Sequence, residues 1–139
     1  MSYLYDPIRK KQVADTPEER VRQALLFQMI GPLGFPKSLL AVEKRLDRFF
    51  PGELSRRADI VAFIKSGDEL KPLLLIECKA EEIDEETYMQ AAGYNSLLAA
   101  PFICLAHAGG IRTFSKLQSV PFLPPYSQLR SSWTMKIAT

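Results

Sequence analysis

The sequence is poor in the residues that build metal and disulfide frameworks. It has one histidine, His107, and two cysteines, Cys78 and Cys104, each inside an apolar run. No C-x-x-C spacing occurs, which argues against a structural zinc site and against a disulfide scaffold and is consistent with a reducing compartment. No apolar run approaches the ~20 residues a helix needs to cross a bilayer. Met1 to Asp6 shows no basic-then-apolar leader pattern. The expectation is therefore a cytoplasmic protein with no membrane partner. The formal net charge is only +2, which permits a nucleic-acid partner without pointing to one. Internal repeats and low-complexity blocks are also missing.

What remains fits one ordinary domain. The chain has 139 residues, 47% of them apolar and 24% charged, enough for a single core. Its centre is Pro72-Leu73-Leu74-Leu75-Ile76-Glu77-Cys78-Lys79, an apolar run opened by proline that reads as a buried strand. Side chains alternate faces along a strand, so Glu77 and Lys79 share one face while Cys78 joins Leu74 and Ile76 on the other. Cys78 is thus expected to be inert core. A carboxylate and an ammonium at the end of a core strand are costly unless paired, hydrated or holding something.

The flanking elements follow in order. Residues 1–15 read as a polar arm, with Arg9-Lys10-Lys11 a solvated patch or, alternatively, a phosphate contact. Thr16-Pro17-Glu18-Glu19 starts a helix, with Thr16 as N-cap, Pro17 at the first position and Glu19 at N3. Its apolar stripe is expected to be Val21, Ala24, Leu25, Gln28 and Met29. Strands are expected at 38–46 and 56–64, with a connection at Phe49–Glu53 between them. With the Pro72 strand they form an antiparallel meander. A helix is expected from Ile83 to Ala99, then a strand at 102–106 parallel to the Pro72 strand, and a short return at 111–114. After Lys116 the prolines oppose regular structure, and Phe122, Tyr126 and Trp133 imply either packing on the domain or a docking surface. The division is residues 1–115 as the domain and 116–139 as an extension.

Asp59 lies mid-strand, and pairing of neighbouring strands brings it beside Glu77. Two adjacent carboxylates repel, and a Mg²⁺ or Mn²⁺ ion relieves this. Lys79 would orient or deprotonate a water, or stabilise charge on a phosphate. Such a set suits phosphodiester hydrolysis.

The order Arg57-Ala58-Asp59, Glu77-Cys78-Lys79, Gln90-Ala91-Ala92-Gly93-Tyr94 resembles the PD-(D/E)xK nuclease superfamily. More narrowly, the chain resembles the N-terminal nuclease domain of type I restriction enzyme R subunits. Tyr5–Lys11, Thr16–Glu19, Val42-Glu43 and Leu75–Ala80 carry that likeness, which spans most of residues 5–107. The resemblance implies an α/β restriction-endonuclease-like core (α-β-β-β-α-β) with a mixed sheet of four to five strands. It implies Asp59 and Glu77 as ligands of Mg²⁺ (or Mn²⁺), Lys79 as the third catalytic residue, and Gln90 and Tyr94 as supporting or substrate-contacting groups. Some members add a glutamate from the first helix, here Glu19, although a capping box alone would explain that residue. Glu43 is a further supporting candidate, with an exposed edge-strand charge as its plainer reading. Ala58 stands where the motif usually has proline. The implied partners are DNA, a helicase or modification subunit, and a second copy of the chain. The motor loop G-x-x-x-x-G-K-[ST] of full R subunits is not in this sequence. A non-catalytic DNA-binding or assembly module and a protein-interaction domain are the competing readings.

Overall fold

The structure, a computed structural model, describes residues 2–45, 57–116 and 118–138, with the backbone alone for Arg45 and 134–138. The elements are β1 (Tyr3–Asp6), β2 (Lys11–Ala14), α1 (Pro17–Ile30), a 3-10 turn (Lys37–Leu39), β3 (Leu40–Arg45), β4 (Arg57–Ser66), β5 (Glu69–Cys78), α2 (Glu85–Leu98), β6 (Phe102–His107), β7 (Gly110–Phe114), β8 (Ser119–Val120) and α3 (Tyr126–Ala138). β3 to β8 form one mixed α/β sheet in sequence order, six strands wide. Only the β5–β6 pair is parallel; the others are antiparallel. This agrees with the restriction-endonuclease-like core expected from the sequence, widened by β8 beyond the four or five strands foreseen. The expected connection at Phe49–Glu53, like Leu46 and Arg56, lies outside the described residues.

The sheet is buried on both faces, which explains its near-continuous apolar runs. Ile60, Ala62, Ile64, Leu74, Ile76 and Cys78 pack with Leu25, Leu26 and Met29 of α1. Val61, Phe63 and Leu75 pack on the opposite side with Leu98 of α2 and Ala100. Glu77 therefore belongs by alternation to the α2 face. The hairpin between β4 and β5 turns on Gly67-Asp68, with Gly67 at φ 62°, a conformation glycine adopts without a Cβ clash. Pro72 does not open β5, as the sequence suggested; the strand begins at Glu69. Proline cannot donate to the ladder, and a register shift between Ala62 and Phe63 lies opposite it.

Residues 2–15, expected as part of a solvated arm, are not free. β1 and β2 pair as a hairpin whose Asp6 is fully buried. Asp6 accepts from the Ile8 and Arg9 N–H groups at 2.8 and 2.7 Å, from Arg9 Nε at 2.8 Å and from Gln23 Nε2 at 2.9 Å. Burial pushes its pKa up, but these hydrogen bonds outweigh it and hold the carboxyl below its usual value. A group so lowered adds stability above its unfolded pKa and loses it as pH falls through the folded one. Asp6→Ala is expected to cost about 3 kcal/mol in urea unfolding at neutral pH, with the deficit shrinking below pH ~4. A cost under about 0.5 kcal/mol would mean that the hairpin is a solvated arm after all.

The proline-rich segment also folds. Tyr126 N–H donates to Leu33 O at 2.9 Å, its ring meets Phe35 edge-on at 5.3 Å, and Leu123, Tyr126 and Leu129 join the α1-side core. The prolines concealed this because they flank α3 rather than interrupt it. Leu129→Ala is expected to cost about 3 kcal/mol, measured by chemical denaturation. A near-silent substitution would mark residues 116–139 as an appendage.

Candidate active site at the fork of two strands

The site begins with the way α1 starts. Thr16 Oγ1 accepts from the Glu19 N–H at 3.1 Å, and Pro17 occupies the first turn. The buried stripe of this helix is Glu19, Arg22, Leu25, Leu26 and Met29. That differs from the expected stripe: Ala24 and Gln28 face solvent. The pattern was displaced because its first two members are charged, and an apolar count passes over them. Arg22, with its side chain only 4% exposed, forks between four carboxylates. Its Nη2 donates to Asp59 Oδ1 at 2.6 Å and Glu43 Oε1 at 2.8 Å, with Glu18 Oε1 at 3.4 Å. Its Nη1 donates to Glu19 Oε1 at 2.8 Å. Burial opposes the guanidinium charge, but Asp59, Glu19 and Glu43 outweigh it and raise the pKa further.

Pairing of β4 with β5 starts at Ile60–Ile76, so the two strands part at Asp59 and Glu77. β5 meanwhile stays paired with β6 out to Cys78–Ala106, and the Lys79 N–H donates to Ala106 O at 2.9 Å. Asp59 fills the fork, its Oδ2 accepting from the Cys78 N–H at 2.7 Å. On the other flank Val42 pairs Ile60 and Lys44 pairs Ala58, while Glu43 between them has φ 57° and leaves the ladder. That local distortion lets the Glu43 carboxylate meet Arg22. Glu77 is half-buried and its Oε1 is buried without a hydrogen-bond partner. Burial, then the negative charge of Asp59, push the Glu77 carboxyl up to about 10.

These groups converge on one open pocket of about 370 Å³, lined by Glu18, Glu43, Arg57, Asp59, Glu77, Cys78, Lys79, Gln90 and Tyr94. Asp59, Glu77, Lys79, Gln90, Tyr94 and Glu43, all singled out from the sequence, line this one space. Glu19 does not. Its carboxylate is taken by Arg9 at 2.8 Å, Arg22 at 2.8 Å and Gln23 at 3.2 Å. Its neighbour Glu18 lines the pocket instead, with its pKa raised by burial and by Asp59. One helical residue is about 100° of rotation, so the identity of the pocket-facing glutamate turns on the phase of α1. Glu18 and Arg22 were both missed from the sequence. The available signal was their four-residue spacing on one helix face.

Among the described residues, no three His, Cys, Asp or Glu side chains are grouped so as to hold a metal ion as they stand. A Mg²⁺ ion asks less of a protein, since it commonly takes one or two carboxylates and keeps several waters. The unpartnered Glu77 Oε1 beside Asp59 fits that requirement. Among the described residues each Asp59 oxygen accepts one hydrogen bond, and a carboxylate oxygen has two acceptor sites. The donor set is all oxygen, as a hard cation prefers. Both cysteines are unsuited to chemistry here: burial pushes the Cys78 thiol far up and the Cys104 thiol up to about 12. Larger grooves lie elsewhere, one of about 690 Å³ between α1 and the β6–β7 turn, but it is lined mainly by small and apolar side chains. Among the described residues no helix is long and apolar enough to cross a membrane.

Comparison with known proteins places the chain in a family. Searches of curated proteins and of solved structures found no match. A family model described as type I restriction enzyme R protein N terminus (HSDR_N) matches residues 17–118, from the first turn of α1 to the edge of β8. That stretch includes every pocket residue named above, and the chain belongs to the family of type I restriction enzyme R protein N-terminal domains.

Proposed function

We propose that the chain is a metal-dependent nuclease that hydrolyses DNA phosphodiester bonds, with Mg²⁺ or Mn²⁺ as cofactor. The observation that carries this reading is the unpartnered, buried Glu77 Oε1 beside Asp59, in a pocket that also presents Lys79. Asp59 and Glu77 would hold the ion, with Glu18 and Glu43 adding negative charge from α1 and β3. A divalent ion bound there supplies Lewis-acid polarisation of a phosphate oxygen and makes water more acidic. Lys79 orients the attacking water or balances charge on the phosphate. Gln90 and Tyr94 line the α2 side, where they position the substrate backbone, and Arg57 adds a positive charge on the β4 side of the pocket. Family membership supports DNA as substrate and a motor or modification subunit as partner.

The test is direct. Purified chain is incubated with supercoiled plasmid in Mg²⁺, in Mn²⁺ and in chelator. Nicked or linear product that requires the metal supports the proposal. Salt-dependent DNA binding without metal-dependent turnover would assign the scaffold to a non-catalytic binding or assembly module instead.

A further inference from the structure

We propose that Arg22 is a positioning residue for this site, setting the Asp59 and Glu43 carboxylates where a divalent ion meets them; this rests on the nuclease reading above. Fold stability alone does not call for an arginine here. The position lies on the buried stripe of α1, its Nε has no hydrogen-bond partner, and burying an ion usually gains nothing over an apolar side chain of similar volume. What an arginine supplies is a rigid fork. One arm of the fork reaches pocket residues on two adjacent strands, Asp59 on β4 and Glu43 on β3. The other arm is fastened to Glu19, outside the pocket. Glu19 is held in turn by Arg9 and Gln23, and both of these are held by Asp6. The N-terminal hairpin and α1 thus form a frame behind the site, and Arg22 transmits its rigidity to the carboxylate nearest the fork. With Cys78 N–H on one oxygen and Arg22 on the other, Asp59 has little freedom to turn.

The substitution that isolates this role is Arg22→Lys, which keeps the charge and loses the fork. Mn²⁺ binding is measured calorimetrically on the full chain, next to plasmid cleavage across a Mn²⁺ series, with folding checked by circular dichroism. The expected result is a Mn²⁺ dissociation constant about 10- to 100-fold weaker than wild type, with the activation curve displaced to match. A purely structural arginine would lower the unfolding midpoint and leave the Mn²⁺ constant of the folded protein unchanged; that result overturns the proposal. Tighter binding also overturns it, because it would show that Arg22 only repels the ion. Should Arg22→Lys fail to fold, Glu19→Gln loosens the fork from behind without altering the pocket lining, and a weakening of at least about threefold is expected. An unchanged constant there is again contrary. If wild-type protein neither binds Mn²⁺ nor cleaves, the nuclease reading falls and takes this inference with it.

Discussion

Glu77→Gln is expected to abolish cleavage and, in chelator, to make the protein more stable. The two effects have one origin. Glu77 sits half-buried against Asp59 with an unpartnered oxygen, and its carboxyl is pushed up to about 10 from an ordinary 4.5. A group whose folded pKa is raised contributes stability that is fully present below the unfolded pKa and is lost as pH rises through the folded one. Metal-free wild type should therefore lose stability between pH ~4.5 and ~10, and Glu77→Gln should not suffer this loss. The melting temperature of the variant should exceed that of wild type in EDTA at pH 8 by several degrees, and the gap should widen from pH 6 to pH 9. Adding Mg²⁺ should close or reverse the gap, because an ion bound by the ionised Glu77 stabilises wild type alone. Differential scanning fluorimetry at three pH values, with and without Mg²⁺, reads all of this. Parallel melting curves for the two proteins would show that Glu77 carries no electrostatic strain.

The second large effect is on Asp59. Asp59→Asn is expected to slow plasmid cleavage about a thousandfold: removing one charged ligand forfeits several kcal/mol of transition-state stabilisation. The substitution is not silent for stability. Asp59 accepts from both Arg22 and the Cys78 N–H, whereas an asparagine carbonyl can serve only one of them. A loss of about 1–3 kcal/mol should accompany the Asn variant, and more the Ala variant, which serves neither donor. Kinetics and urea unfolding on the same preparation separate the two effects. Cleavage at the wild-type rate by a folded Asp59→Asn protein would remove Asp59 from the site.

The parts of this protein that were legible in its sequence were those written in a single period. The meander, the strand–helix–strand crossover and the ExK register of β5 all follow from alternation along apolar runs, and alternation places Glu77 and Lys79 on one face. The Asp59–Glu77 encounter needed only the further rule that successive strands pair. Features carried by charge on a buried surface were not legible. Arg22 and Glu19 occupy a stripe that an apolar count leaves blank, so the expected stripe of α1 is off by about one residue; Glu19 was a candidate only through the family resemblance, and Glu18 is the glutamate that lines the pocket. The N-terminal hairpin was hidden for the same reason. Its anchor is the buried Asp6 satisfied by Arg9 and Gln23, not an apolar core, and Arg9-Lys10-Lys11 looks like a solvated run until the Arg9 partners are known. In the C-terminal segment, Pro121, Pro124 and Pro125 masked a helix that begins immediately after them. Long-range ion pairs, unlike periodicity, leave no mark at a fixed spacing.

The most direct test of the central claim is anomalous diffraction from crystals soaked in Mn²⁺. One ion is expected between the Asp59 and Glu77 carboxylates, with the Lys79 side chain facing the same space. Density for Mn²⁺ anywhere else, or none between these two carboxylates at saturating metal, would contradict it.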